Sequence, residues 1–256
     1  MNWKTFTALL RRDAHVARRN FIPLVLQTML QPLLFVFIFG QVMIRSNFMP
    51  QSYRALLLPG IMAISMLMTG IQAVSMPLIA EFQFTKEIED RLLAPMQIQW
   101  LAIEKVVAGM IQSVVSGIIV VLAAWLVMGT DVGVTFKNPG LFVAMVLLVA
   151  LLSAAGGLTL GCSVGQTQIG LLFSLVLAPM IMFGCAYYPW SALKTFPVLQ
   201  YAVLVNPLVY ASEGLRGALA PNVPHIDTWV VLSVLVVADA GLIFFGLNRF
   251  FRKAVG

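Results

Sequence analysis

The chain has 256 residues, of which 60% are hydrophobic and only 10% charged, and its net charge is +6. With a mean hydropathy of +0.94 it has too little polar surface to cover a soluble domain of this size. That excludes a soluble enzyme or a nucleic-acid-binding domain, and the basic excess reads instead as an orientation signal in a bilayer.

The first twenty residues, MNWKTFTALLRRDAHVARRN, do not form a span. Trp3, Phe6, Leu10, Ala14 and Ala17 recur at helical spacing, with Arg11, Arg12, Arg18 and Arg19 mostly off that line. This pattern predicts an interfacial amphipathic helix in the headgroup layer, acting as anchor and topology signal, with lipid as its partner. No cleavable signal peptide is evident ahead of the first apolar block.

A helix needs about 20 apolar residues to cross roughly 30 Å of hydrocarbon. Six segments meet that requirement, at 21–44, 55–80, 101–128, 139–162, 169–187 and 228–248. The predicted fold is therefore an all-α membrane protein with six transmembrane helices in one transmembrane domain, 1–256. With the N-terminus in the cytoplasm, that side receives Lys4, the four arginines of the first segment, Lys86, Arg91, Lys105, Arg249, Arg252 and Lys253. The other side receives Arg45, Arg54, Lys137, Lys194 and Arg216. The bias puts both termini inside, which an even number of spans allows.

Between the second and third spans lies FTKEIEDRLLAPMQIQW, part of a segment 81–100. Glu87 and Arg91 stand four apart in the order that favours a helical ion pair. Phe84, Ile88 and Leu92 line another face, and Pro95 closes the helix. A plain connector needs only a few polar residues. A structured one with an apolar stripe beside Glu87, Glu89, Asp90 and Arg91 suits a docking surface for another protein.

Small residues recur every four positions at Gly109, Ser113 and Gly117, and again at Ser153, Gly157, Gly161 and Gly165. Such ladders let helices approach closely in lipid. The plainer reading is packing within one chain, and the sharper one is a dimer contact. Gly161 to Gly165 also satisfies G-x-S-x-G around Ser163. The topology separates Ser163 from His225, and no strand–turn–helix context surrounds it, so the ladder reading is preferred over a nucleophile. The sequence holds no H-E-x-x-H and no G-x-x-x-x-G-K-[ST], so nothing points to a zinc protease or to an ATP site on this chain. Cys162 and Cys185 read as small packing residues.

The stretch 188–227 is apolar but full of breakers. Asn206 is placed to cap a helix whose first residue is Pro207, and Glu213 and Arg216 follow three apart. Two short helices are predicted here, dipping into or lying on the outer leaflet, with Trp190 and Tyr187, Tyr188, Tyr201 and Tyr210 at the interface. In the last span, Asp239 is the one deep acid and must face protein or water. Its readings are a substrate or proton contact, or a buried hydrogen bond to Gln27, Gln31, Gln72 or Gln112.

Two segments now resemble one family, the permease subunits of type-2 ATP-binding-cassette exporters. The first is KEIEDRLLAPM followed by Ala102-Ile103-Glu104-Lys105. The second is FGCAYYPWSALKTFPVLQYAVLVNPLVYASEGLRG, 183–217, with Tyr188-Pro189 where the family commonly has Phe-Pro. The resemblance implies an export permease, itself no enzyme, in a bacterial inner membrane. It implies a homodimer working with a cytoplasmic ATPase subunit, which binds the ATP and Mg, while this chain binds no cofactor. It makes 81–100 the coupling helix, with Glu87, Glu89, Asp90 and Arg91 meeting the ATPase. It makes 188–227 an outer gate built on Tyr188, Pro189, Asn206, Pro207, Tyr210, Glu213 and Arg216. Related permeases carry drugs, lipids and lipid-linked glycans. The alternatives are a secondary transporter or channel without an ATPase, for which matched repeats are not visible, and a non-transporting membrane scaffold.

Overall fold

The computed structural model describes residues 7, 10–12, 30, 32–83, 98–129, 133–135, 137–165 and 168–255. All regular secondary structure among them is helical. Four helices are long and apolar enough to cross a membrane: α2 (Tyr53–Gln83), α3 (Ile98–Met128), α4 (Pro139–Ser163) and α8 (Thr228–Val255). Ahead of them runs a shorter apolar helix, α1 (Pro32–Arg45). Between α4 and α8 come an interrupted helix, α5 (169–182), and two short ones, α6 (Pro197–Ala202) and α7 (Pro207–Leu219). The N-terminal segment lies almost wholly outside the described residues. So does 84–97, and with it Glu87, Glu89, Asp90 and Arg91.

Helix α2 is the hub. Its most apolar stretch is 83% buried, against 22% for α8, and it packs against α3, α4 and α7. Small and hydroxyl side chains explain that position. The Ser65 and Ser116 hydroxyls lie 2.8 Å apart, Thr69 donates to Ser116 at 3.0 Å, and Ser113 donates to the Met66 carbonyl at 2.9 Å. In lipid these bonds replace the hydrophobic drive that would join helices in water. The ladders serve the same purpose. A Cβ on Gly157 would lie 2.7 Å from the Ile71 carbonyl, one on Gly161 2.9 Å from the Ser75 Cα, and one on Gly109 2.3 Å from Val74. Gly109, Gly117, Gly157 and Gly161 thus face α2 of their own chain, in line with the intrachain reading. Ser163 spends its hydroxyl on the Thr159 carbonyl, at 2.7 Å.

Helices α3 and α8 turn their other faces outward, with Ile118, Leu122 and Trp125 on one and Val236, Val237 and Phe244 on the other. Such faces suit contact with lipid chains. Helices α1 and α5 each contain one wider π turn, at Ile38–Val42 and Phe173–Leu177. A π turn breaks the regular ladder and leaves backbone groups for other partners. Here Arg54 uses one: its Nε donates to the Gly40 carbonyl at 3.1 Å and its Nη1 to Met128, the last residue of α3, at 3.4 Å. Gln41 completes the cluster by accepting from Arg54 and donating to the Val127 carbonyl.

Candidate functional site

The densest polar structure lies where the chain leaves α5 and stops being regular. Beyond Phe183, whose amide still bonds the Pro179 carbonyl, the backbone bends irregularly as far as Pro189, and Cys185 adopts φ 51. Buried carbonyls in such a stretch must find donors. Four carbonyls of the stretch, and two at the end of α5, find side chains. Asn206 Nδ2 donates to Met180 at 2.7 Å, Tyr188 Oη to Met182 at 3.1 Å, and Ser212 Oγ to Gly184 at 2.7 Å. Arg216 Nη2 donates to Cys185 at 2.9 Å and to Ala186 at 3.4 Å. Tyr53, at the head of α2, donates to Tyr187 at 2.8 Å. The approach of α2 is close enough that a Cβ on Gly60 would lie 1.8 Å from the Ala186 oxygen, so glycine is required there.

Glu213 and Arg216 form the centre of this cap. Both side chains are fully buried and joined as an ion pair one turn apart on α7. Glu213 Oε1 also accepts the Trp190 amide at 2.8 Å, and Oε2 accepts the Ile226 amide at 2.9 Å. One carboxylate therefore ties the start of the cap to the residues that lead into α8. Burial pulls the Arg216 guanidinium below its ordinary range, and the Glu213 carboxylate opposes that shift. Asn206 caps α7 by accepting the Leu208 amide at 3.0 Å, with Pro207 at the first helical position. Pro189, in extended conformation, leads into a two-turn 3-10 helix, Trp190–Thr195. The Trp190 indole is fixed by the Gln200 carbonyl at 2.9 Å. Tyr210 is buried within the main apolar core.

The structure thus gathers Tyr188, Asn206, Glu213 and Arg216 around one stretch of irregular backbone. Pro189 and Pro207 set the turns beside it. Asp239 stands apart. It is buried on α8, and neither carboxylate oxygen has a hydrogen-bond partner among the described residues. The proposed bonds to Gln72 and Gln112 are not made, and Gln27 and Gln31 fall outside the described residues. Gln72 is half-buried on α2.

At the other end of α2, sequence reasoning missed an ion pair. Lys105 Nζ lies 2.8 Å from Glu81 Oε1, with only 4% and 9% of the two side chains exposed. It joins α2 to α3 on either side of 84–97. The available signal is a charge of each sign within a few residues of that connector; the sequence alone places Lys105 in the orientation count and in the family-like segment, but gives it no partner. Tyr53 and Arg54 carry no such signal: Tyr53 reaches the Tyr187 carbonyl, and Arg54 the Gly40 and Met128 carbonyls and the Gln41 side chain, none of them a near neighbour in sequence. Among the described residues no three His, Cys, Asp or Glu side chains converge as a metal site.

A family model described as ABC-2 type transporter matches residues 4–220 of the chain. The search of curated proteins gave no match.

Proposed function

The chain belongs to the ABC-2 type transporter family, and on that premise we propose that it forms the export path for an amphiphilic substrate: a drug, a lipid or a lipid-linked glycan. Family membership and four long apolar helices make it an integral membrane permease. The permease is not the catalytic component in this family, whose ATPase lies in a separate subunit. The match across 4–220 is the observation that carries the reading.

In this reading the chain has six spans in the bacterial inner membrane, with both termini in the cytoplasm, and two copies flank the path. The ATPase subunit binds ATP and Mg and presses on 81–100 through Glu87, Glu89, Asp90 and Arg91. The Glu81–Lys105 pair supports such a lever. It fastens the two helices at the connector's roots, so that a push is delivered to both. The cap at 188–227 closes the outer end. Tyr188, Pro189, Asn206, Pro207, Tyr210, Glu213 and Arg216 act there as the frame of a lid that moves as one body, since their bonds bind its backbone together. Asp239 and Gln72 are the polar groups within the spans that a substrate headgroup could meet.

The test is to isolate the chain with its ATPase and compare it with a Glu87→Lys/Glu89→Lys variant. The expected result is a variant that inserts normally but no longer stimulates ATP hydrolysis or transports. Stimulation and transport at the level of the unaltered chain would remove the coupling assignment.

A further inference from the structure

Helix α8 runs 28 residues, about 42 Å at 1.5 Å per residue, which is longer than roughly 30 Å of hydrocarbon requires. Its last turns therefore emerge at headgroup level, and they carry three cations that are treated differently. Lys253 is turned inward, 4.9 Å above the Phe82 ring and 3.5 Å from the Gly161 carbonyl. Arg249 and Arg252 point outward, and neither has a carboxylate partner among the described residues. The two arginines line an open-sided surface cavity of about 310 Å³ with Asn248, Phe244 and Phe245, all on the outward face of α8. The two phenylalanine rings pack edge to face with centroids 5.8 Å apart, forming a fixed aromatic wall.

The spacing sorts these groups by depth. Phe244, Asn248 and Arg252 follow at intervals of four, and so do Phe245 and Arg249, so each set lies along one face. Phe244 and Arg252 are separated by about 12 Å along the axis. An apolar wall below and two guanidinium forks above match an acyl chain below and a phosphate above. A topology signal alone would need the charges but neither the cavity nor the aromatic wall.

We propose that this end of α8 is a binding site for an anionic phospholipid. Its phosphate is held by Arg249 and Arg252, its glycerol region lies beside Asn248, and its acyl chains lie against Phe244 and Phe245. On the orientation proposed above, the lipid comes from the inner leaflet. The site does not depend on the transport reading.

The full chain in neutral detergent is titrated with phosphatidylglycerol, and bound lipid is counted by native mass spectrometry. Phosphatidylcholine and inorganic phosphate serve as separate arms. Phosphatidylglycerol should bind and phosphatidylcholine should not compete. Each arginine near a charged headgroup is worth roughly a five-fold factor in affinity, so Arg249→Gln/Arg252→Gln should bind on the order of 30-fold more weakly. Phe244→Ala/Phe245→Ala, which leaves the orientation charges in place, should weaken phosphatidylglycerol but leave the response to inorganic phosphate unchanged. Equal affinity for the two lipids, full affinity in either variant, or binding of inorganic phosphate alone would each overturn the proposal.

Discussion

Arg216→Met should be the most damaging single substitution in the cap. The guanidinium serves three partners: Glu213, the Cys185 carbonyl and the Ala186 carbonyl. Methionine fills much of the space but donates nothing. Glu213 would remain fully buried with its charge met only by two backbone amides. Breaking a buried ion pair by removing one partner costs about 3–5 kcal/mol, and leaving a buried carbonyl unpaired adds about 1–3 kcal/mol. A loss of at least about 4 kcal/mol is therefore expected, read from denaturant titration of the purified protein in mixed micelles. Glu213→Gln alone should also destabilise, since an amide cannot meet the arginine's charge. Combined with Arg216→Met it removes the stranded charge and still offers an oxygen to the Trp190 amide. The double variant should then be more stable than the sum of the single losses predicts, by on the order of 2 kcal/mol. Single losses below about 1 kcal/mol, or additivity within about 0.5 kcal/mol, would refute the view of this pair as the centre of the cap.

Further substitutions probe other parts of the molecule. Asp239→Leu should leave stability unchanged or raise it, because it removes a buried polar group that has no partner among the described residues; a loss above about 2 kcal/mol in the same titration would mean a bond has been broken. Gly157→Val should cost about 1–3 kcal/mol by overpacking α2 against α4, whereas Gly140→Ala, where a Cβ meets nothing within 4 Å, should stay within about 0.5 kcal/mol. Lys105→Met should lower stability by about 3–5 kcal/mol, and exchanging the two charges as Glu81→Lys/Lys105→Glu should recover part of that loss. No recovery on exchange would show that the pair's attraction is not what stabilises the foot of α2.

What the sequence disclosed follows the range of each interaction. The apolar blocks marked α2, α3, α4 and α8 to within a few residues of their ends, except that α8 runs on to Val255. Membrane thickness is a constraint that any segment reports by itself. The Asn206-Pro207 start of α7 was equally legible, because a cap and a first-turn proline act on adjacent residues. The pairing of Glu213 with the Trp190 and Ile226 amides was not legible. Neither was Tyr53 reaching Tyr187, 134 residues away. A backbone amide or carbonyl has no side-chain signature, so only the folded chain reveals which ones need a partner. The glycine ladders sit between these cases. Their spacing announced a close contact, but the contacted helix became known only when Ile71 and Ser75 were found opposite them.

Helix α2 has a mechanical consequence. It is one continuous rod of 31 residues, about 46 Å long, with Glu81 clamped to Lys105 near one tip and Tyr53 bonded to Tyr187 at the other. Its two prolines, Pro59 and Pro77, lie near those tips, where each removes a backbone bond and lets the axis bend. The middle, gripped by neighbours on several sides, behaves as a stiff crankshaft between two universal joints. In the lever reading proposed above, this rod is the part that would carry a push from the Glu81 tip to the Tyr53 tip.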